Sequence, residues 1–263
     1  MDLGLEGRTA FVSGSTQGIG FAIASELAAE GARVIVNGRT AERVEEAVAT
    51  LRDVHPDADH AGLAADFARR ADVTRLLEQL DGVDILVNNV GLFGVAEFGS
   101  ISDEEWARYL EVNLMSGVRL SRHLLPAMLE RGWGRVLFIA SESGVNVPED
   151  MVHYGVTKSA MIALGNGLSK LTRGTAVTVN TVLGGPTYSD GVAAIVESIA
   201  GAKSAPVEAV KEAIIGENAT TLLERFLDPS EIAHLVAYLA SPAASATNGA
   251  AIRADGGVLT SVL

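Results

Sequence analysis

Short apolar runs alternate with longer stretches of helical periodicity along this chain. Residues 9–13 form the first run, and glycines follow it. Residues 18–30 carry Ile19, Ala22, Ile23 and Leu27 on one side, the spacing of a buried helix face. Gly31 stops that helix. Residues 33–37 predict a second strand, and Ala41–Val54 a second helix behind Thr40 as its cap. A weaker third strand spans 60–64. Ile85–Asn88, 135–140 and 177–183 predict the fourth, fifth and sixth. Residues 116–129 and 152–171 read as long helices. Asp228-Pro229-Ser230-Glu231 supplies a cap, a proline at the first helical position and an acid at the third. The helix it opens ends at Ser241-Pro242. Ser102 with Glu105 predicts another capping box. The strands are apolar throughout rather than alternating, as when helices cover both faces of a sheet. The order predicts one α/β domain over 1–263: a doubly wound parallel sheet with helices on both faces.

Between residues 186 and 227 the rhythm breaks. Two short helices are predicted there, at 190–199 and 207–215. Their position, after a sheet strand and before the final helix and strand, suits a lid over a cleft. A helical insertion that only extends the core fits the same pattern.

Composition narrows the function classes. Twenty basic against 33 acidic residues give a net charge of −13. Such a surface repels nucleic acid and anionic lipid, although one locally basic site can still hold an anion. The chain has no cysteine, which excludes disulfides, thiolate catalysis and cysteine-held metals. No run of 18 apolar residues predicts a membrane span, and residues 1–7 hold no apolar signal core. A soluble, cytoplasmic protein is expected. His55, His60, His123, His153 and His234 form no close metal-binding pair. His153 fits either a substrate pocket or packing. Trp106 and Trp133 suit helix or interface anchors. Glu42, Glu45 and Glu46 read as a solvated helix face with Arg43 among them.

The first chemical signal is Ser13-Gly14-Ser15-Thr16-Gln17-Gly18-Ile19-Gly20, between the first strand and the first helix. Glycines let a backbone approach a ligand, and a helix start offers free N–H groups to a diphosphate. Such a loop alone also fits a structural turn. Asn37-Gly38-Arg39-Thr40 ends the second strand, where a carboxylate would select an unphosphorylated ribose. Arg39 instead pairs with a 2′-phosphate, and Gly38 removes a side chain that would oppose it. NADP(H) is therefore preferred, with NAD(H) still possible. Asp66 is a softer candidate for the adenine amine. Asn88-Asn89-Val90-Gly91 ends the fourth strand, as a ligand edge or as an amide turn tying strands together.

Tyr154 and Lys158 are four apart and share a helix face. An ammonium beside a phenol lowers its pKa toward usable proton transfer. Ser141, just past the fifth strand, is placed to bond the same substrate oxygen. A lone Tyr-x-x-x-Lys is a weak signal, and its order among the other elements gives it weight.

Taken together, these motifs resemble the classical short-chain dehydrogenase/reductase family over residues 8–258. The general pattern is most similar to its 3-oxoacyl-thioester reductases. The resemblance implies a Rossmann-type fold and a catalytic tetrad of Asn113, Ser141, Tyr154 and Lys158. It implies cofactor contacts from Gly14, Ser15, Thr16, Gln17, Gly18, Ile19, Gly20, Arg39, Asp66, Asn89, Gly91, Tyr154 and Lys158. Pro186 and Thr187 match the stretch after the sixth strand. In the implied reaction Tyr154 protonates an alkoxide, Ser141 stabilises it, and Lys158 tunes Tyr154 and holds the nicotinamide ribose. Asn113 supports a water-linked proton route to Lys158.

Departures qualify the expectation. Gln17 stands where NADPH users often carry a basic residue, leaving Arg39 as the phosphate contact. Val90 replaces an alanine, and Gly184-Gly185-Pro186 reverses a Pro-Gly order. The substrate is a carbonyl compound or alcohol. A 3-oxoacyl thioester leads, with a polyol, sugar or other secondary alcohol next. A non-catalytic cofactor-binding scaffold or redox sensor is the alternative from another class. Val145, Val147, Tyr188, Val192 and Leu222 are the expected apolar pocket. Arg119, Arg122, Arg131 and Arg135 are candidates for a basic patch that an acyl carrier protein would need. The family implies a homotetramer, or a dimer, paired through 116–129 and 152–171. The apolar end, 258–263, is expected to pack across a subunit boundary.

Overall fold

The computed structural model describes residues 2–217 and 220–262. Met1, Asn218, Ala219 and Leu263 lie outside the described residues, so the expected lid is described on both sides of 218–219. Among the described residues seven strands form one parallel sheet. They are β1 (Thr9–Val12), β2 (Arg33–Gly38), β3 (Ala61–Ala64), β4 (Ile85–Asn88), β5 (Trp133–Ser141), β6 (Ala176–Gly184) and β7 (Ala251–Ala254). Their order is β3-β2-β1-β4-β5-β6-β7. The winding reverses between β1 and β4. A crevice opens outside the carboxyl ends of the strands at such a point.

The helices are α1 (Gly18–Ala29), α2 (Ala41–Val54), α3 (Arg70–Leu77), α4 (Asp103–Tyr109), α5 (Ser116–Arg131), α6 (Val152–Ser169), α7 (Asp190–Lys203), α8 (Val207–Glu217) and α9 (Pro229–Ala240). One sheet face packs on Ile23 and Leu27 of α1, Val48 of α2 and Val236 of α9. The other packs on Leu120 and Met128 of α5 and Met161 of α6, around Phe11 and Phe138. Burying each such side chain stabilises the fold by roughly 1.5–3 kcal/mol. α3 carries only Val73 and Leu76 as buried residues, too short an apolar face to announce itself in the sequence.

The capping expectations divide. At α9 the box is complete: Asp228 accepts from the Ser230 N–H, and the Asp228 N–H donates to Glu231. At α4 only half forms. Ser102 accepts from the Glu105 N–H at 3.2 Å, while the Glu105 carboxylate pairs with Arg108 instead. α4 also runs into α5 through a π-helical turn, Leu110–Met115. π turns widen a helix locally and are frequent at functional sites.

α7 and α8 extend beyond the expected ranges and hold a small core of their own from Val196, Ala200 and Val210. Val258 and Leu259 are buried within the same chain, Leu259 against Ala140 and Leu183. The start of this stretch is thus covered within the chain, while Thr260, Ser261 and Val262 stay exposed. No helix among the described residues is long and apolar enough to cross a membrane.

Candidate active site

A cleft of about 440 Å³ lies beyond β1, β2 and β4, at the reversal of the sheet. Gly14, Thr16, Gln17, Gly18, Ile19 and Gly20 line its floor, and Arg39, Asp66, Asn89 and Gly91 its sides. Ser15 does not line it. Its buried hydroxyl donates to the Val12 carbonyl and accepts from the Asn37 N–H, so it ties β1 to β2. Pro186 and Thr187 also stand outside the lining, where Ser189 and Gly191 appear instead. The Thr187 hydroxyl is engaged by the Gly185 carbonyl at 2.9 Å.

The glycine loop is strapped from both sides. The Asn89 amide donates to the Ser13 and Gly14 carbonyls at 3.0 and 2.9 Å. The Asn37 amide oxygen accepts from the Gly14 N–H at 3.0 Å. Of the two readings of the Asn-Asn pair, the structural tie is therefore made, and Asn89 also faces the cleft. Asn88 is buried, with neither amide atom bonded to protein. Gly20 admits no side chain, because a Cβ would lie 2.2 Å from the Gly14 carbonyl oxygen.

The start of α1 at this floor holds an anionic group of the chain itself. The Asp190 carboxylate at the start of α7 accepts from the Gly18 N–H at 2.5 Å. An anion is thus already seated at the positive end of α1. At the ribose end Arg39 is exposed beside the cleft, and Arg43 of α2 donates to the Gln17 side-chain oxygen. Sequence reasoning left Arg43 on a solvated face. The available signal was its place in the first turn of α2, just after the strand end that carries Arg39. Gly38 has a packing reason beside the one expected. A Cβ there would lie 2.4 Å from the Thr16 methyl, so close packing requires the glycine.

Ser141 is the last residue of β5, in register with Gly184 of β6. α6 brings Tyr154 and Lys158 beside it. The buried Lys158 ammonium donates to the Ile139 carbonyl at 2.8 Å and lies 5.5 Å from the Tyr154 ring centre. It also closes on the cleft, 3.6 Å from where a Cβ of Gly91 would stand. Burial pushes Lys158 down to about 8, against the upward pull of the Glu142 carboxylate. Burial and then Glu142 push the Tyr154 phenol up, and its hydrogen bond with Ser141 offsets this only in part. The lowering expected from Lys158 is not what dominates here: burial and the Glu142 charge both push the phenol up, and only the Ser141 hydrogen bond acts the other way.

Glu142 is the residue sequence reasoning missed. It accepts from both Ser141 and Ser143 hydroxyls. Only its place next to Ser141 signalled it. Asn113 sits in the π turn. Its amide oxygen accepts from the Leu92 N–H, and its amide nitrogen donates to the Leu92 carbonyl and the Thr157 hydroxyl. It joins the loop after β4 to α6, next to the reacting groups.

The expected substrate and partner residues fare unevenly. Val145, Val147 and Leu222 are exposed. Tyr188 and Val192, both half-buried, pack against the small core of α7 and α8, and Tyr188 lines a separate cavity there. Phe93, which was not anticipated, lines the cleft. The four arginines that were candidates for a basic patch are not free to form one together. Arg119 pairs with Glu111 at 2.7 Å, and Arg131 bonds the Val83 carbonyl. Arg135 is buried on the Ser241 and Ala176 carbonyls and stacks on Trp133, leaving Arg122 exposed. His153 is a packing residue, 4.1 Å from the Tyr109 ring centre and edge-on to Trp106. Among the described residues no cluster suits a metal ion.

Comparison with known proteins agrees with this geometry. The short chain dehydrogenase family pattern matches residues 8–200. The uncharacterized oxidoreductase YvaG of Bacillus subtilis (strain 168) is 45% identical over 263 residues, covering all of both chains. The 3-oxoacyl-[acyl-carrier-protein] reductase FabG of Aquifex aeolicus (strain VF5) is 31% identical, over 98% of this chain and 100% of that one. The crystal structure of L-sorbose reductase from Gluconobacter frateurii, complexed with NADPH and L-sorbose, superposes with a TM-score of 0.94 at 29% identity, covering both chains fully. With its cleft at the sheet reversal and Ser141, Tyr154 and Lys158 gathered beside it, the chain belongs to the short chain dehydrogenase family of NAD(P)-dependent oxidoreductases.

Proposed function

We propose that this protein interconverts a ketone and a secondary alcohol, prefers NADP(H), and uses Tyr154 as proton donor and acceptor. The observation that carries the reading is the meeting of Tyr154, Ser141 and Lys158 at the edge of the cleft that Gly91 borders. A bound nicotinamide supplies or accepts the hydride at the carbonyl carbon. Tyr154 gives its phenolic proton to the carbonyl oxygen, and the product is the alcohol. Ser141 bonds the same oxygen. Lys158 holds positive charge next to the phenol and the cofactor ribose, and Asn113 keeps the neighbouring loop in place. Burial and Glu142 push the Tyr154 phenol up, toward the protonated form that acts as the donor in reduction. Arg39 and Arg43 are the proposed 2′-phosphate contacts, with Gln17 positioning Arg43. The glycine loop takes the diphosphate.

Two substrate classes follow from the relatives, an acyl thioester and a sugar. The pairing of Arg119 and Arg131 and the burial of Arg135 weigh against these arginines as a docking patch for an acyl carrier protein. The proposal also includes a homo-oligomer through α5 and α6, supported by the exposed Val156 on α6 and Leu171 just beyond it. Mass in solution tests it. The central test is initial-rate oxidation of NADPH and NADH on a panel of ketones, with Tyr154→Phe as control. Turnover with NADPH that Tyr154→Phe loses, while cofactor binding persists, supports the reading. A folded protein that binds cofactor without turning over any ketone or alcohol would favour a scaffold.

A further inference from the structure

We infer that Glu142 forms a hydroxyl-recognising subsite beside the reacting carbonyl, so that the preferred substrate is a hydroxyketone of the keto-sugar class. The inference rests on the reading of Ser141 and Tyr154 as the pair that bonds the substrate oxygen.

Glu142 follows Ser141 directly and opens a short turn, Glu142–Gly144. One carboxylate oxygen takes the Ser141 hydroxyl hydrogen, and the other takes that of Ser143 at 3.0 Å. The Ser141 oxygen also accepts from the Ser143 N–H at 3.2 Å. A serine hydroxyl has a single hydrogen. While Glu142 holds it, Ser141 has no proton to offer a carbonyl oxygen. A substrate hydroxyl next to the carbonyl can take over as donor to Glu142. The Ser141 hydrogen is then free to turn to the carbonyl oxygen, and every polar group stays bonded.

A methylene in the same place offers Glu142 nothing. It strips water from the carboxylate and leaves Ser141 committed to Glu142. Leaving a charged acceptor unpaired when its water is removed is heavily unfavourable. The bond that distinguishes the two substrates is therefore charge-assisted, the stronger kind. Among the described residues no lysine or arginine hydrogen-bonds Glu142; the buried Lys158 ammonium feels its charge but donates to the Ile139 carbonyl instead. A substrate carboxylate close to the reacting carbonyl meets that charge and is disfavoured. Glu142 thus selects for neutral, hydroxylated neighbours of the ketone and against both acyl chains and short keto acids.

The test uses two ketones of nearly equal shape, hydroxyacetone and butanone, with NADPH and the full-length enzyme. Fructose and 2-hexanone form a longer pair. The wild type is expected to favour the hydroxylated member in kcat/KM by about tenfold or more. In Glu142→Ala that ratio collapses toward one, and Glu142→Asp recovers part of it. Glu142→Gln, which keeps the side-chain shape, is expected to lose most of the preference through KM for the hydroxyketone. A thermal melt and NADPH binding confirm that each variant is folded. A wild type that prefers the plain ketones or a 3-oxoacyl thioester overturns the inference. So does a preference that survives in Glu142→Ala. In either case the reading of Tyr154 stands if Tyr154→Phe abolishes turnover. Turnover of no ketone, or turnover that persists in Tyr154→Phe, overturns both.

Discussion

Arg43 reaches from α2 to the side-chain oxygen of Gln17, so a guanidinium stands over a glycine loop that carries no basic residue itself. The end of the cleft beyond β2, proposed to take the 2′-phosphate, is thereby bordered by two cations, Arg39 and Arg43. Arg43→Ala is expected to lower kcat/KM with NADPH about five- to tenfold, the range for one charge-assisted contact at an exposed site. With NADH the change stays below about twofold, since no 2′-phosphate is present to contact. Equal losses with both cofactors would assign Arg43 to loop structure alone.

Asp190 presents a second relation to the cofactor. Its carboxylate sits on the Gly18 N–H, in the region a diphosphate claims. Two anions at one helix end repel each other. Asp190→Asn is expected to tighten NADPH binding several-fold, read by fluorescence titration. Weaker binding would make Asp190 a clasp that holds α7 over the cofactor.

Lys158 is expected to set the alkaline limb of activity. Burial brings its ammonium down to about 8, and Glu142 pulls it back upward. As pH rises past about 8, the free enzyme loses the positive charge that the reaction uses. kcat/KM for reduction is expected to fall there, while Tyr154, pushed the other way, stays protonated. Glu142→Gln removes the upward pull and moves the limb to lower pH. A pH profile with the limb in the same place in both proteins would separate Lys158 from the ionisation observed.

Stability has its own local test at α9. Asp228 and Glu231 complete a reciprocal capping box, with Arg225 pairing Glu231 at 2.8 Å. Asp228→Ala is expected to cost about 1 kcal/mol and lower Tm by about 2–4 °C. The site lies away from the cleft, so kcat is expected to hold. An unchanged melting curve would mean that water replaces the cap.

The sheet and the glycine loop were legible in the sequence because they depend on local repetition. Apolar runs such as Ile85–Asn88 mark strands buried on both faces, and the crowded backbone at Gly20 leaves room for glycine alone. Tyr154 and Lys158 were legible for a similar reason, since helical spacing puts residues four apart on one face. The sequence alone thus determined the fold class, the cleft's position at the strand ends and three of the groups beside it. Tertiary structure decided how those groups are charged and what surrounds them. The rise of Tyr154 comes from burial under the folded chain and from Glu142, neither of which a spacing rule counts. Arg43 joins Gln17 across 26 positions, and Asp190 reaches Gly18 across 172. The four arginines were likewise indistinguishable as letters; folding consumed Arg119, Arg131 and Arg135 inside the chain. Periodicity records which face of an element is buried. Desolvation and pairing depend on which faces meet, and only the packed chain contains that information.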